Sequence, residues 1–130
     1  INGGHSFTIE TSEAFVLADQ GLVKQACRIL VDNAIKYTPA GGTIRMVVSG
    51  GLGQACFSVQ DSGIGIPPGD IPHIFDRFYR ADESRARATG GTGLGLSIAK
   101  WIAERHGGHL EVLSREDFGS RISLVLPRSD

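Results

Sequence analysis

The sequence of 130 residues lacks the features that mark several large classes of protein. No apolar run approaches the roughly 18–20 residues that a membrane-spanning helix requires, and no secretory signal peptide is visible. The formal net charge is −1, so no global basic field favours nucleic acid or an anionic membrane surface as a partner. The composition therefore argues against a chain that binds nucleic acid or crosses a membrane.

Cysteine is also scarce, because only Cys27 and Cys56 are present and they form no Cys-x-x-Cys pair. Each lies singly within an apolar pattern, which predicts buried, reduced thiols of a cytosolic protein. With 41% hydrophobic residues and no internal repeat, the chain can bury one core. We therefore predict a single domain over residues 1–130. Because the chain begins at Ile1, we expect it to be a fragment of a larger protein.

Glycine, by contrast, is abundant and clustered. The stretch Gly90-Gly91-Thr92-Gly93-Leu94-Gly95-Leu96 leads into a helical apolar pattern that continues with Ile98 and either Trp101 or Ile102. It is either a seat for phosphate at a helix start or a flexible loop before a packed helix. A P-loop is excluded because no Gly-Lys-Ser/Thr follows. A Rossmann turn is excluded because residues 81–89 are polar and charged, not an apolar strand.

A second helix is predicted from an N-cap at Asp19 to about Tyr37, where Thr38-Pro39 ends it. Asn33 lies on its apolar face, where an amide must find hydrogen-bond partners. Lys36 and Tyr37 project from the same side. Asn33 is either a structural residue bonded to backbone or part of a site. An amide oxygen can coordinate a hard cation, an ammonium can neutralise phosphate, and an aromatic ring can stack on a base.

Alternating apolar residues and turn signals predict strands in three pairs. The ranges are Phe7–Thr11 with Ala14–Leu17, Thr43–Ser49 with Gln54–Gln60, and His109–Ser114 with Arg121–Leu126. A short helical turn is predicted around residues 71–75.

The segment Asp61-Ser62-Gly63-Ile64-Gly65-Ile66-Pro67 follows the second hairpin. It is either a simple turn or a carboxylate that accepts a hydrogen bond from a ligand amine, with Gly63 and Gly65 leaving room for the ligand ring. Residues 76–92 show no periodicity and carry four arginines, so they form either a solvated charged loop or a lid that closes on phosphate.

Four segments, in this order, resemble the motifs of the catalytic ATP-binding domain of two-component sensor histidine kinases. They are Asp32–Pro39 (asparagine box), Asp61–Pro67 (first glycine box), Ile74–Arg80 (phenylalanine box) and Gly91–Leu96 (second glycine box). The resemblance extends from about Phe7 to Pro127. Each motif alone is modest evidence for the family, whereas four motifs in order at the family's spacing are highly specific evidence.

The resemblance implies an α/β (α+β) two-layer sandwich, in which a mixed, mostly antiparallel sheet of about five strands is backed by three helices. ATP would lie between a helix and a flexible lid at about residues 76–92. The implied activity is transfer of the γ-phosphate from Mg-ATP to a histidine on a separate dimerisation and phosphotransfer module, and from there to a response regulator receiver domain. The isolated domain is expected to be monomeric and cytoplasmic, with its parent anchored in the plasma membrane.

The resemblance also implies roles for individual residues. Asn33 would hold Mg²⁺, Lys36 would contact phosphate, and Tyr37 would flank the adenine. Asp61 would accept a hydrogen bond from the adenine amine. Arg80, as the catalytic residue, and Arg85 would reach the phosphates from the lid. The remaining residues implied in ATP binding are Gly63, Gly65, Ile66, Gly91, Thr92, Gly93, Leu94, Gly95 and Leu96.

The sequence departs from the family pattern at two points. Ile29 occupies the position, four residues before Asn33, where the family often has a second asparagine. In addition, none of the four histidines lies in the setting of a phosphoacceptor. One alternative is an ATP-hydrolysing switch of the gyrase type, which needs a water-activating carboxylate that Ile29 cannot supply. The other is a regulatory module that binds nucleotide and transfers nothing, against which only Arg80 and the second glycine box argue.

Overall fold

The computed structural model of the chain describes residues 6–11, 16, 18–51, 53–66, 68–76, 95–115 and 117–128. In chain order its elements are β1 (Ser6–Thr11), α1 (Gln20–Tyr37), β2 (Thr43–Gly51), β3 (Gln54–Asp61), a 3₁₀ turn (Ile71–His73), α2 (Gly95–Arg105), β4 (His109–Arg115) and β5 (Gly119–Pro127). Within these ranges, the helices are too short or too polar to cross a membrane.

The five strands form one sheet in the order β1-β2-β3-β5-β4. β1 runs parallel to β2, and every other neighbouring pair is antiparallel. The predicted mixed, mostly antiparallel sheet of about five strands is therefore confirmed. The predicted strand Ala14–Leu17 lies almost entirely outside the described residues, and Val16, which is described, belongs to no strand.

The described ranges contain two of the three expected helices, α1 and α2. The short helical turn predicted around residues 71–75 is confirmed as a 3₁₀ turn, Ile71–His73. Its hydrogen bonds span three residues, from His73 N to Asp70 O (2.9 Å) and from Ile74 N to Ile71 O (3.4 Å). Pro72 lies inside the turn and has no N–H to donate, so it cannot contribute to a helical ladder. The fold class is unchanged, because α1 and α2 supply the layer that covers the sheet.

Local signals define both ends of α1. Asp19 is its N-cap and accepts a hydrogen bond from Leu22 N through Oδ1 at 3.0 Å. The helix ends at Tyr37, where Thr38 is extended, as expected for a residue before proline. One side of α1 is buried in the core through residues spaced four apart: Ala26, Leu30 and Ala34.

Helix α2 buries Ala99, Ile102 and Ala103, whereas Trp101 is 53% exposed. Of the two residues that the sequence offered for this core position, Trp101 and Ile102, it is therefore Ile102 that is buried. The Trp101 ring instead lies on the outer face, with the Arg105 guanidinium 5.5 Å from its centroid.

Helix α2 ends in a Schellman motif, in which Gly108 N donates to Ala103 O (2.9 Å) and Gly107 N to Glu104 O (3.0 Å). Gly107 provides the required left-handed conformation, with φ 76°.

Helices α1 and α2 run antiparallel and are tied together at one end. His106 Nε2 accepts a hydrogen bond from Asp19 N (3.0 Å), and its Nδ1 lies 2.7 Å from Ile102 O. Since Nε2 accepts, Nδ1 carries the proton and donates to the carbonyl. At the other end of the pair, a Cβ on Gly95 would lie 3.4 Å from Ile29 Cγ2. The last two turns of α1 therefore extend past the start of α2.

The core lies between the two helices and one face of the sheet. From the sheet it contains Ile44, Val59, Ile122, Leu124 and Leu126. Cys27 and Cys56 are free thiols, as predicted, but each is only partly buried. Burial raises the pKa of the Cys27 thiol to about 11, which keeps it protonated at neutral pH.

Candidate functional site

The end of strand β3 presents Asp61, a carboxylate that is only 8% exposed. Its Oδ1 accepts from Gly63 N at 2.9 Å and from Ser120 N at 3.3 Å, and its Oδ2 accepts from Ser120 Oγ at 3.4 Å. Burial raises the pKa of Asp61 above its ordinary value, and these hydrogen bonds oppose the rise. A carboxylate held this way has acceptor capacity left for one further donor.

Residues 61–66 form a turn, called the 61–66 turn below, that packs against the end of α1. Ile64 N donates to Tyr37 O at 3.3 Å. A Cβ on Gly63 would lie 2.3 Å from the same carbonyl oxygen, so no larger residue fits there without displacing backbone. This contact joins the asparagine box to the first glycine box, two motifs that are more than twenty residues apart in the sequence.

Gly65 has a different reason to be glycine, because its φ of 72° is strained for other residues. The sequence interpretation, that Gly63 and Gly65 leave room for a ligand ring, stays a prediction. The structure adds a backbone requirement at each of the two positions.

The other side of the 61–66 turn contacts the β4–β5 hairpin. Ile66 N donates to Ser114 Oγ at 2.7 Å, and Asp117 N donates to Ile64 O at 2.7 Å. Ser114 and Ser120 therefore belong to the surroundings of the site, although sequence reasoning missed both. No local signal could have found them, because they lie 48 and 59 residues from the atoms they contact.

The candidate residues of α1 lie on its last two turns. Asn33 and Tyr37 are partly buried, and Lys36 is exposed. The Asn33 amide makes no hydrogen bond to another residue in the part of the chain that the structure describes. This favours the reading of Asn33 as a group available to a ligand over a structural amide bonded to backbone.

At the second glycine box, the structure describes only the start of α2. Gly95 lies beside Ile29 of α1, and Leu96 is partly buried against the core. Ile29, four residues before Asn33, is also partly buried. Its side chain therefore belongs to the packing between the helices. Predictions for Arg80, Arg85, Gly91, Thr92, Gly93 and Leu94, like most of the proposed lid at 76–92, fall outside the described residues.

The described side chains limit what could hold a metal ion. Among them, no group of three or more His, Cys, Asp or Glu residues comes together as a metal site. The amide oxygen of Asn33 is a hard donor of the kind that Mg²⁺ accepts, and Mg²⁺ keeps several waters and needs few protein ligands. The Asn33 amide is therefore, among the described residues, a donor whose chemistry fits Mg²⁺.

Comparison with known proteins identifies the family. Residues 18–130 match the family described as histidine kinase-, DNA gyrase B- and HSP90-like ATPase. The chain is similar to the sensor histidine kinase YkoH of Bacillus subtilis, with 50% identity over 118 residues, 89% of this chain and 26% of that protein. It is also similar to the sensor histidine kinase WalK of the same organism, with 41% identity over 117 residues, 88% of this chain and 19% of that protein.

Solved structures agree. The mycobacterial sensor histidine kinase MprB superposes with a TM-score of 0.87 at 32% identity, covering 98% of this chain and 86% of that one. Full-length ShkA in complex with AMPPNP superposes with a TM-score of 0.83 at 28% identity, covering 98% of this chain and 26% of that one. The chain spans about a quarter or less of the length of YkoH and WalK. It belongs to the family of histidine kinase-, DNA gyrase B- and HSP90-like ATPases, as a catalytic ATPase domain of the sensor histidine kinase type.

Proposed function

We propose that this domain binds Mg-ATP and donates the γ-phosphate to a histidine on a separate dimerisation and phosphotransfer module of the same kinase. The observation that carries this proposal is the contact between Tyr37 O and Gly63. It brings the asparagine box, with its amide, ammonium and aromatic ring, next to a buried carboxylate that is already oriented by three hydrogen bonds. One nucleotide can contact both groups, with its base at Asp61 and its phosphates towards Asn33 and Lys36.

Base recognition is the part of this proposal that the described residues support most directly. Asp61 accepts hydrogen bonds from Gly63 N and Ser120, and its burial makes an additional donor favourable. The exocyclic amine of adenine is such a donor, whereas guanine has a carbonyl oxygen at that position. A carboxylate facing that carbonyl would be repelled, so the site should select ATP over GTP. Tyr37, at the end of α1, would flank the base.

Phosphate binding would draw on Lys36, which is exposed, and on Asn33, which is partly buried. The Lys36 ammonium would neutralise phosphate charge, and the Asn33 amide would hold Mg²⁺, which would supply further positive charge at the phosphates. Arg80 and Arg85 of the proposed lid and the backbone around Gly93 and Gly95 would complete the phosphate contacts. Catalysis would then consist of positioning and charge neutralisation, with Arg80 acting as charge redistributes.

The phosphate would pass to a partner, since none of the four histidines fits the acceptor role. The structure shows His106 bonded to backbone at both ring nitrogens, and His73 and His109 beside Asp76 and Glu111. We propose that the acceptor histidine belongs to the dimerisation module and that a response regulator receiver domain takes the phosphate from it. The AMPPNP complex of ShkA supports ATP as the nucleotide. The full-length parent is proposed to be membrane-anchored.

The test is a reconstitution with γ-labelled ATP and the dimerisation and phosphotransfer module of the same parent kinase. We expect label on the module in the presence of Mg²⁺, with little release of free phosphate from the isolated domain. The packing of Ile29 supports slow hydrolysis, since a hydrocarbon occupies the position from which a carboxylate would activate water. Rapid release of free phosphate with no label on the module would favour the gyrase-type switch. ATP binding with neither phosphate release nor labelling of the module would favour a regulatory module.

The Arg80→Ala variant separates binding from transfer. We expect it to lower the rate of transfer more than the affinity for ATP, because a contact that strengthens as charge redistributes contributes mainly to the transition state. Arg121→Ala is the matched control, because Arg121 is an exposed arginine of β5 whose guanidinium donates to Ser58 Oγ (3.5 Å), on the sheet. Equal losses of transfer rate in both variants would contradict a catalytic role for Arg80.

A further inference from the structure

The β4–β5 hairpin holds the 61–66 turn through a hydroxyl that has both its donor and its acceptor capacity in use. Ser114 Oγ accepts from Ile66 N at 2.7 Å and donates to Gly119 O at 3.2 Å. Because the hydroxyl proton is directed at Gly119, a lone pair remains directed at the Ile66 N–H. The hairpin adds a second bond, from Asp117 N to Ile64 O at 2.7 Å.

These two bonds lie on either side of Gly65. Ile64 is held through its carbonyl and Ile66 through its N–H, so the left-handed residue between them has both neighbours anchored to the same hairpin. Glycine has more accessible backbone conformations than any other residue. A turn that contains one needs external anchors if a ligand is to meet it in a single conformation.

We propose that Ser114 is a positioning residue of the nucleotide site, whose hydroxyl sets the conformation of the 61–66 turn against which the base binds. This inference rests on the proposed function. It assigns to the closing hairpin a role in base recognition, in addition to its place in the sheet. Ser114 itself touches no nucleotide in this scheme and acts only through Ile66.

A purely structural role is the competing explanation, and the chain offers a matched control. Ser123, on β5 of the same hairpin, is 5% exposed and shares a 2.8 Å hydrogen bond with Ser58 Oγ. Ser123→Ala therefore removes one side-chain hydrogen bond, as Ser114→Ala does at the 61–66 turn. The bond that Ser123 loses is within the sheet and does not involve the 61–66 turn.

The experiment measures the dissociation constants for ATP and ADP, the urea unfolding curve and the exchange rate of the Ile66 amide. Ser114→Ala should weaken both nucleotides by the same factor, about tenfold, as expected when a partly buried donor loses its acceptor. It should also accelerate exchange of the Ile66 amide. Ser114→Thr, which keeps the hydroxyl, should bind like the wild type, and Ser114→Cys, with a weaker acceptor, should lie in between. Ser123→Ala should keep wild-type affinity.

The outcomes distinguish this inference from the proposed function. A wild-type chain that does not bind ATP would overturn the proposed function, and the role of Ser114 with it. A wild-type chain that binds ATP, together with a folded Ser114→Ala variant of unchanged affinity, would overturn the role of Ser114 alone. Unchanged exchange at Ile66, or equal losses of affinity in Ser114→Ala and Ser123→Ala, would also overturn it.

Discussion

The base side and the phosphate side of the proposed site are built in opposite ways. On the base side, Asp61 is buried and accepts three hydrogen bonds, and the 61–66 turn is anchored to both α1 and the β4–β5 hairpin. On the phosphate side, Lys36 is exposed and Asn33 has no hydrogen bond to another described residue. Among the described residues, the first side is therefore held by protein hydrogen bonds, whereas the second presents side chains without such bonds.

This difference teaches where selectivity and charge neutralisation can reside. A pre-organised acceptor loses little entropy when it meets its ligand, so it can discriminate between bases. Solvated side chains such as Lys36 can follow phosphate groups whose charge and position change during a reaction. Substitutions on the base side should therefore have large effects on affinity, and those on the phosphate side smaller and metal-dependent ones.

The largest expected effect is that of Gly63→Ala. The added methyl group would lie 2.3 Å from Tyr37 O, so the 61–66 turn must separate from α1. Overpacking of this kind costs about 1–3 kcal/mol of stability, and we expect ATP affinity to fall by about a hundredfold or more. Isothermal titration and urea unfolding would measure the two effects. Gly69→Ala is the control, because nothing lies within 4 Å of its Cβ position; similar losses in both variants would contradict the argument.

A smaller but still large effect is expected for Asp61→Asn. Asn Oδ1 can keep the bond from Gly63 N, which directs the amide NH₂ towards the adenine amine, so two donors would face each other. Loss of a hydrogen bond to a charged group corresponds to about 1.5–3 kcal/mol, or one to two decades in ATP affinity. Titration with ATP and GTP would show this as a loss of preference for ATP. Unchanged ATP affinity in the folded variant would reduce Asp61 to a turn residue.

The same variant also tests the effect of burial on the Asp61 carboxylate, through the pH dependence of the free energy of unfolding. Since the pKa of Asp61 is raised in the folded state, its contribution to stability is fully present below the unfolded value, near 3.9, and is lost as pH rises through the folded pKa. The free energy of unfolding of the wild type, relative to Asp61→Asn, should therefore fall as pH increases from about 4 towards neutrality. Urea unfolding of both proteins across this range measures it, and a difference that grows with pH would mean that hydrogen bonding outweighs burial.

The smallest effect is expected for Ile29→Asn, on the phosphate side. An amide at this position would add a candidate ligand one helical turn before Asn33, so ATP affinity should reach its maximum at a lower Mg²⁺ concentration. The change would be a few-fold, with some loss of stability because Ile29 packs against the core and beside Gly95. ATP titrations at several Mg²⁺ concentrations, with unfolding curves alongside, would measure both. Superimposable Mg²⁺ curves would mean that position 29 contributes only to packing.

Much of the fold could be predicted because its signals are local. Asp19 caps α1 through a neighbour three residues away, Pro39 prevents the helix from continuing, and Gly107 closes α2 in a left-handed conformation. Period-two alternation located β2, β3, β4 and β5 to within a few residues. The candidate residues Asn33, Asp61 and Gly63, which stay predictions, could be proposed from the sequence because an amide on an apolar helix face and an acid followed by glycines at a strand end are conspicuous.

What the sequence by itself determined was therefore the position of each element and the identity of the motifs, since caps, turns and periodicity act over a few residues. Only the tertiary structure decided between Trp101 and Ile102, adjacent positions whose burial depends on the surface each meets. It also decided that Gly63 meets Tyr37 O and that Ser114 and Ser120 support the 61–66 turn. These contacts join segments from distant parts of the chain. No local pattern encodes them, because they form only when the strand order places β5 beside β3 and β4 at the edge of the sheet.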